Sequence, residues 1–175
     1  VSFNVSGLTE TSTLTLNSGV VCNGAGDNTN YIFCIPEDIT VPVTNGFAEF
    51  NNIEIYEGVF VSENFTVDTS LFNQRYILDN SFIDTSTIKV KVKSSSTATS
   101  SVTYKQIDNI VGVTSTSNSY LLQEIEDERY ELIFGDNVIG RKLSNNNYIT
   151  ASYIVTDGKD GNGASEFSFV GNITN

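Results

Sequence analysis

Thr87–Lys93 reads TIKVKVK, and its strict alternation decides the fold class. A period of two places Ile88, Val90 and Val92 on one side of an extended chain and Lys89, Lys91 and Lys93 on the other. A helix would scatter both sets around its circumference, so this segment is a half-buried strand. The lysines are read as a solvated face that also discourages edge-to-edge pairing, in preference to a basic patch for an acidic partner.

The same pattern recurs on both sides of this segment. STLTLNS (12–18), NYIFCI (30–35), ITVPV (39–43), FAEFNNIEIYEGVFV (47–61) and RYILD (75–79) precede it. SVTYKQI (101–107), YLLQEI (120–125), RYELIF (129–134), YITASYIVT (148–156) and EFSFV (166–170) follow it. Gly, Asn, Asp and Ser clusters separate them, notably NGAGDNTN (23–30), LSNNN (143–147) and DGKDGNG (157–163). Gly takes positive φ cheaply, and Asn and Asp bond their own backbone, so such clusters turn the chain. About ten short strands with little helix predict a mainly β protein, built as antiparallel β-sandwich or barrel-like lobes. Pro42 has no N–H for a ladder, which predicts that ITVPV is an edge strand. NSFIDTS (80–86) divides the chain into β-rich lobes at 1–82 and 83–175, the second carrying the FGDN…GR and GKDGN turns; a single domain is the alternative. SSSTATSS (94–101) is expected to be a loop or a polar strand end.

Composition narrows function. The 175 residues carry 9 Lys+Arg against 21 Asp+Glu, a formal charge of −12 that disfavours nucleic acid and anionic membranes as partners. The chain has no His, which excludes Ser-His-Asp and Cys-His nucleophiles and His-ligated metals. It has no Trp, no run long enough to span a bilayer and no basic-then-apolar leader. With no Met anywhere, it is expected to be a fragment of a longer protein. Cys22 and Cys34 are read as reduced, strand-borne thiols, with a disulfide the alternative in an oxidising compartment.

Three motifs invite chemistry. Glu124, Glu126, Asp127, Glu128 and Glu131 are candidate glycosidase carboxylates, but on a hairpin with Arg129 among them they read as surface charge. Asp157, Asp160 and Asn162 suggest a calcium loop, yet Lys159 occupies a ligand position, and a Gly-rich turn is preferred. The sequons at Asn4, Asn64 and Asn172 are what an Asn-, Ser- and Thr-rich chain supplies by chance. No enzyme activity, metal or cofactor is expected.

A resemblance emerges from NSFIDTSTIKVKV (80–92), ERYELIFGDNVIGRKL (128–143) and YITASYIVTDGKDGNG (148–163) taken in order. It is similar to the baseplate-J-like family, and most closely to the baseplate wedge proteins of contractile-tailed bacteriophages. The matching positions are Ile83, Asp84, Tyr130, Phe134, Gly135, Asp136, Gly140, Arg141, Tyr153, Gly158, Gly161 and Asn162. TLTLNSGVVCNGAGDNTNYIFCI (13–35) and NIEIYEGVFVSENF (52–65) resemble it less specifically. Family members often carry Gly where Asn137 stands and Pro where Lys142 follows the Gly-Arg pair. The resemblance implies a structural subunit of a virion tail baseplate, assembled in the host cytoplasm, whose partners are other wedge subunits and copies of itself. It implies no catalytic residue, cofactor or small-molecule substrate. The alternative is a carbohydrate- or host-surface-binding β domain of a tail or surface adhesin.

Overall fold

The computed structural model describes residues 1–26, 29–156, 158 and 163–175. It is mainly β, as expected, with sixteen strands and a 3₁₀ turn at Glu126–Glu128 among the described residues. The strands are β1 Phe3–Ser6, β2 Thr13–Leu16, β3 Gly19–Gly26, β4 Thr29–Ile35, β5 Ile39–Thr44, β6 Phe47–Phe50, β7 Tyr56–Glu57 and β8 Val59–Thr66. They continue as β9 Ile77–Leu78, β10 Ile83–Lys93, β11 Val102–Gln106, β12 Ser119–Glu124, β13 Tyr130–Phe134, β14 Tyr148–Val155, β15 Glu166–Phe169 and β16 Ile173–Thr174. The number exceeds ten because long apolar runs break. FAEFNNIEIYEGVFV becomes three strands, interrupted where Asn52 and Gly58 take positive φ. Among the described residues no helix is long and apolar enough to cross a membrane.

The chain forms two compact units, Val1–Val61 with Ile154–Asn175, and Ser62–Tyr153. The 82/83 division drawn from the sequence falls inside the second of these, between β9 and β10.

In the first unit a five-stranded sheet, ordered β1-β6-β5-β2-β16, faces a four-stranded sheet, ordered β15-β3-β4-β7. Leu14, Leu16, Ala48 and Phe50 from one sheet pack against Val21, Cys22, Phe33 and Ile35 from the other. A β-bulge at Val21 shifts the β3–β4 register, so the sequence neighbours Val21 and Cys22 are both buried. Both cysteines are free thiols. Burial pushes each pKa up, and the Cys34 thiol donates to the Gly58 carbonyl at 3.3 Å.

The expected edge position of ITVPV is corrected: β5 lies between β6 and β2. Val43 donates its N–H toward β2, to the Ser12 carbonyl at 2.9 Å. The nitrogen of Pro42 therefore points toward β6, and the β5–β6 ladder stops at Val43–Ala48, one residue short of Pro42. An interior strand accommodates a proline here because the ladder ends where the donor is missing.

A third, seven-stranded sheet runs in the order β8-β14-β10-β11-β12-β13-β9. β10 is interior, so its lysines guard no edge. Ile88, Val90 and Val92 are buried and the three lysines half-buried, which is the alternation read from TIKVKVK. One pair departs from the antiparallel expectation: β11 and β12 are parallel, with Lys105 opposite Ser119. A parallel return needs a crossover of about a dozen residues, and residues 107–118 supply it as an open loop.

The two edges of this sheet bridge to each other through side chains. Glu63 on β8 accepts the Asp79 N–H at 3.1 Å and the Asn80 amide at 3.3 Å, just beyond β9. Gln74 donates to the Thr66 carbonyl at 2.8 Å, and Phe65 packs edge-on against Tyr76. The result is a near-barrel whose open edges are tied rather than laddered.

Candidate interaction surface

Gly135 to Arg141 forms a hydrogen-bonded turn of the second unit. The Asp136 carboxylate accepts the N–H groups of Val138 (2.8 Å) and Ile139 (2.9 Å). Those two bonds hold its carboxyl below the usual aspartate range. Asn137, at φ 72°, donates its N–H to Gly140 and accepts from Lys142 N at 3.0 Å. Gly135 and Gly140 lie in backbone contact: a Cβ on Gly135 would sit 2.2 Å from the Gly140 carbonyl carbon.

The chain does not re-enter a strand at Gly140 and Arg141. These two residues donate instead to the crossover loop, Gly140 to Thr114 O (3.1 Å) and Arg141 to Ser117 O (2.9 Å). Backbone donors are spent on the loop rather than on a ladder, so the chain stays irregular until β14. The turn and the crossover loop are thereby tied into one body. That body presents Ile110, Val111, Val138 and Ile139 to solvent, with Val111 87% and Val138 74% exposed.

A hollow of about 350 Å³ opens beside the turn, lined among others by Leu71, Tyr76, Ile133, Phe134, Gly135 and Lys142. Phe134 is its foundation: Tyr76, Tyr104 and Tyr120 pack around its ring at centroid distances of 5.6, 5.6 and 6.2 Å. Burial pushes the Tyr120 phenol up to about 12. On the loop that borders the hollow, Leu71 is 56% and Phe72 94% exposed.

The other motif positions are structural in their contacts. Ile83 is buried, and Asp84 accepts from the Ser86 N–H and hydroxyl at 3.0 and 2.6 Å. The preceding Phe82 is 67% exposed at φ 61°, a strained setting for an aromatic residue. Tyr153 is fully buried, donates its hydroxyl to Glu63 and accepts the Asn80 amide at 2.7 Å. Burial first, and the Glu63 carboxylate second, raise its pKa well above the tyrosine range. Tyr130 pairs with Leu78 and Glu124 across the β9–β13–β12 ladder. Gly158 has φ 81° and donates to the Thr156 hydroxyl at 3.0 Å. Gly161 and Asn162, with Asp157, Lys159 and Asp160 of the calcium reading, lie outside the described residues.

The acidic cluster is disposed as surface charge. Glu131 is held bidentately by Arg75 at 2.9 and 2.6 Å. Arg129 reaches Asp79 at 3.0 Å and Asp127 at 3.6 Å, while Glu126 offers it only a backbone carbonyl. Among the described residues no three His, Cys, Asp or Glu side chains gather as a metal site.

Sequence reasoning missed Leu71, Phe72, Ile110 and Val111. Their signal is an apolar doublet inside a polar loop, TSLFNQ and DNIVGVT, with no alternating pattern to bury it. Comparison of the sequence with family models found no match, and comparison with curated proteins found none either.

Proposed function

We propose that this chain is a structural assembly module, a subunit of a phage tail baseplate wedge as its motif resemblance implies, binding other wedge subunits and copies of itself. One observation carries the reading. Residues matching the family motif are spent on a rigid turn, and that turn, tied to the crossover loop, holds four aliphatic side chains in solvent. Exposed apolar groups on a well-braced support suit a protein partner, because little ordering entropy remains to be lost on binding. The acidic surface suits a subunit that stays soluble before assembly. A carbohydrate-binding role has less support, since all eight tyrosines are buried or half-buried and the exposed rings, Phe72 and Phe82 among them, have no hydroxyl to bond a sugar.

The test is location. With an epitope tag on the protein in its native genome, immunogold labelling of purified particles should decorate the tail end distal to the head. Tag recovered solely in free protein fractions, with particles unlabelled, would remove the baseplate reading.

A further inference from the structure

β10 and β11 lie side by side inside the seven-stranded sheet, with Val90 opposite Tyr104 and Lys91 opposite Thr103. Val90 and Tyr104 are buried, so Lys91 and Thr103 point to the other face. The period of two adds Lys89, Lys93 and Lys105 to that face. Four of the six lysines in the chain therefore share one face of two neighbouring strands. Continuing the register sets Lys89 against Lys105, and like charges directly opposite repel.

Lys89 has an interaction of its own, and among the described residues the other three lysines of the face, Lys91, Lys93 and Lys105, form no ion pair. On the flanking strands Thr150 and Asn64 bond each other and carry no charge. Asp108, just past β11, lines the hollow beside Lys105, and Glu131 on β13 is held by Arg75. Beyond Lys105 the sheet meets a hollow of about 560 Å³, lined among others by Thr103, Ile107, Val113 and Asn118.

We propose that this lysine face docks an extended acidic polypeptide segment. The spacing of the lysines selects the ligand. Alternate residues on a strand stand roughly 6.7 Å apart, the same repeat as carboxylates at every second position of an extended peptide laid along β10. The hollow beside Lys105 then receives an apolar side chain at one end of that segment. A nucleic acid fits less well: the face offers lysines and Thr rather than bidentate arginines or stacking rings, and the chain's charge of −12 repels a polyphosphate. A short acidic segment feels mainly the local cations, because screening limits the reach of distant charges to about 8–10 Å.

A fluorescein-labelled peptide of alternating Glu and Ser, about a dozen residues long, tests the proposal by fluorescence anisotropy on the full chain. Binding at low ionic strength is expected, weakened by salt and about tenfold or more by Lys91→Gln with Lys105→Gln. A peptide of alternating Gln and Ser should not bind, and circular dichroism melts establish that the variant is folded. The Gln pair is preferred to charge reversal because relieving like-charge repulsion should not unfold the sheet. Absence of binding, or equal binding by the folded Gln variant, overturns the proposal. So does single-stranded DNA that binds as tightly as the peptide. Self-association in sedimentation that the Gln pair abolishes also overturns it, since a second copy would then occupy the face.

Discussion

Gly135 and Asp136 show how two residues build the turn on which the assembly reading rests. The backbone of Gly140 occupies the space where a Gly135 side chain would begin, and backbone cannot rotate away as a side chain can. Gly135→Val should therefore cost roughly 3 kcal/mol or more in urea melts. Gly112→Ala is the contrast: its φ of 80° strains a Cβ, but nothing lies within 4 Å, and the cost should be about 1 kcal/mol. Equal losses would show that conformation, and not the close approach, makes glycine necessary at 135. Asp136 adds a pH dependence. Its folded pKa lies below the ordinary 3.8, so the stabilisation it provides is present above about pH 4 and lost as pH falls through the folded value. Asp136→Asn should narrow the stability difference between pH 6 and pH 3 in thermal melts, and an unaltered difference would count against the assignment. The turn itself was legible in the Gly-Asp-Asn sequence. That Gly140 and Arg141 bond Thr114 and Ser117 was not, because local propensity says nothing of a contact between segments more than twenty residues apart.

At the scale of elements, alternation placed most strands, and the failures share a cause. Pro42 argues for an edge only if both neighbours pair along the whole strand; here one ladder ends before it. The parallel β11–β12 pair was hidden because alternation reports which face is buried and carries no information on strand direction. The Asn45-Gly46 turn between β5 and β6 was available in the sequence, since both residues take positive φ, as a two-residue hairpin turn requires. Tyr153 illustrates what a buried polar group contributes. Its hydroxyl joins β14 to Glu63 on β8 and to Asn80 beyond β9, where the near-barrel lacks a backbone ladder. Tyr153→Phe removes that hydroxyl and leaves Glu63 with the Asp79 and Asn80 donors. A loss of about 1–3 kcal/mol is expected, with faster hydrogen exchange at Asp79. A loss of stability without a change at Asp79 would place the effect in packing rather than in closure of the edge.

For the whole molecule, composition made the fold class legible but left the arrangement of the chain open. The first unit is assembled from both ends of the sequence, since β15 pairs with β3 and β16 with β2. No periodicity along a chain reveals pairing across so many intervening residues. All seven strands of the larger sheet, by contrast, lie between Val59 and Val155, and its edges are bridged by residues from that same stretch. That continuity has a consequence. A fragment spanning residues 59–155 retains every strand of the sheet, the Tyr153–Glu63–Asn80 network and the Gly135 turn. It should give a β-type circular dichroism spectrum and a single cooperative melt. The first unit freed of Ser62–Tyr153 must join Val61 to Ile154 by a new linker, and both cut points fall inside strands. A fragment 59–155 that binds hydrophobic dye and melts without cooperativity would show that β8 and β14 require their continuation outside it, and that the near-barrel is not an autonomous folding unit.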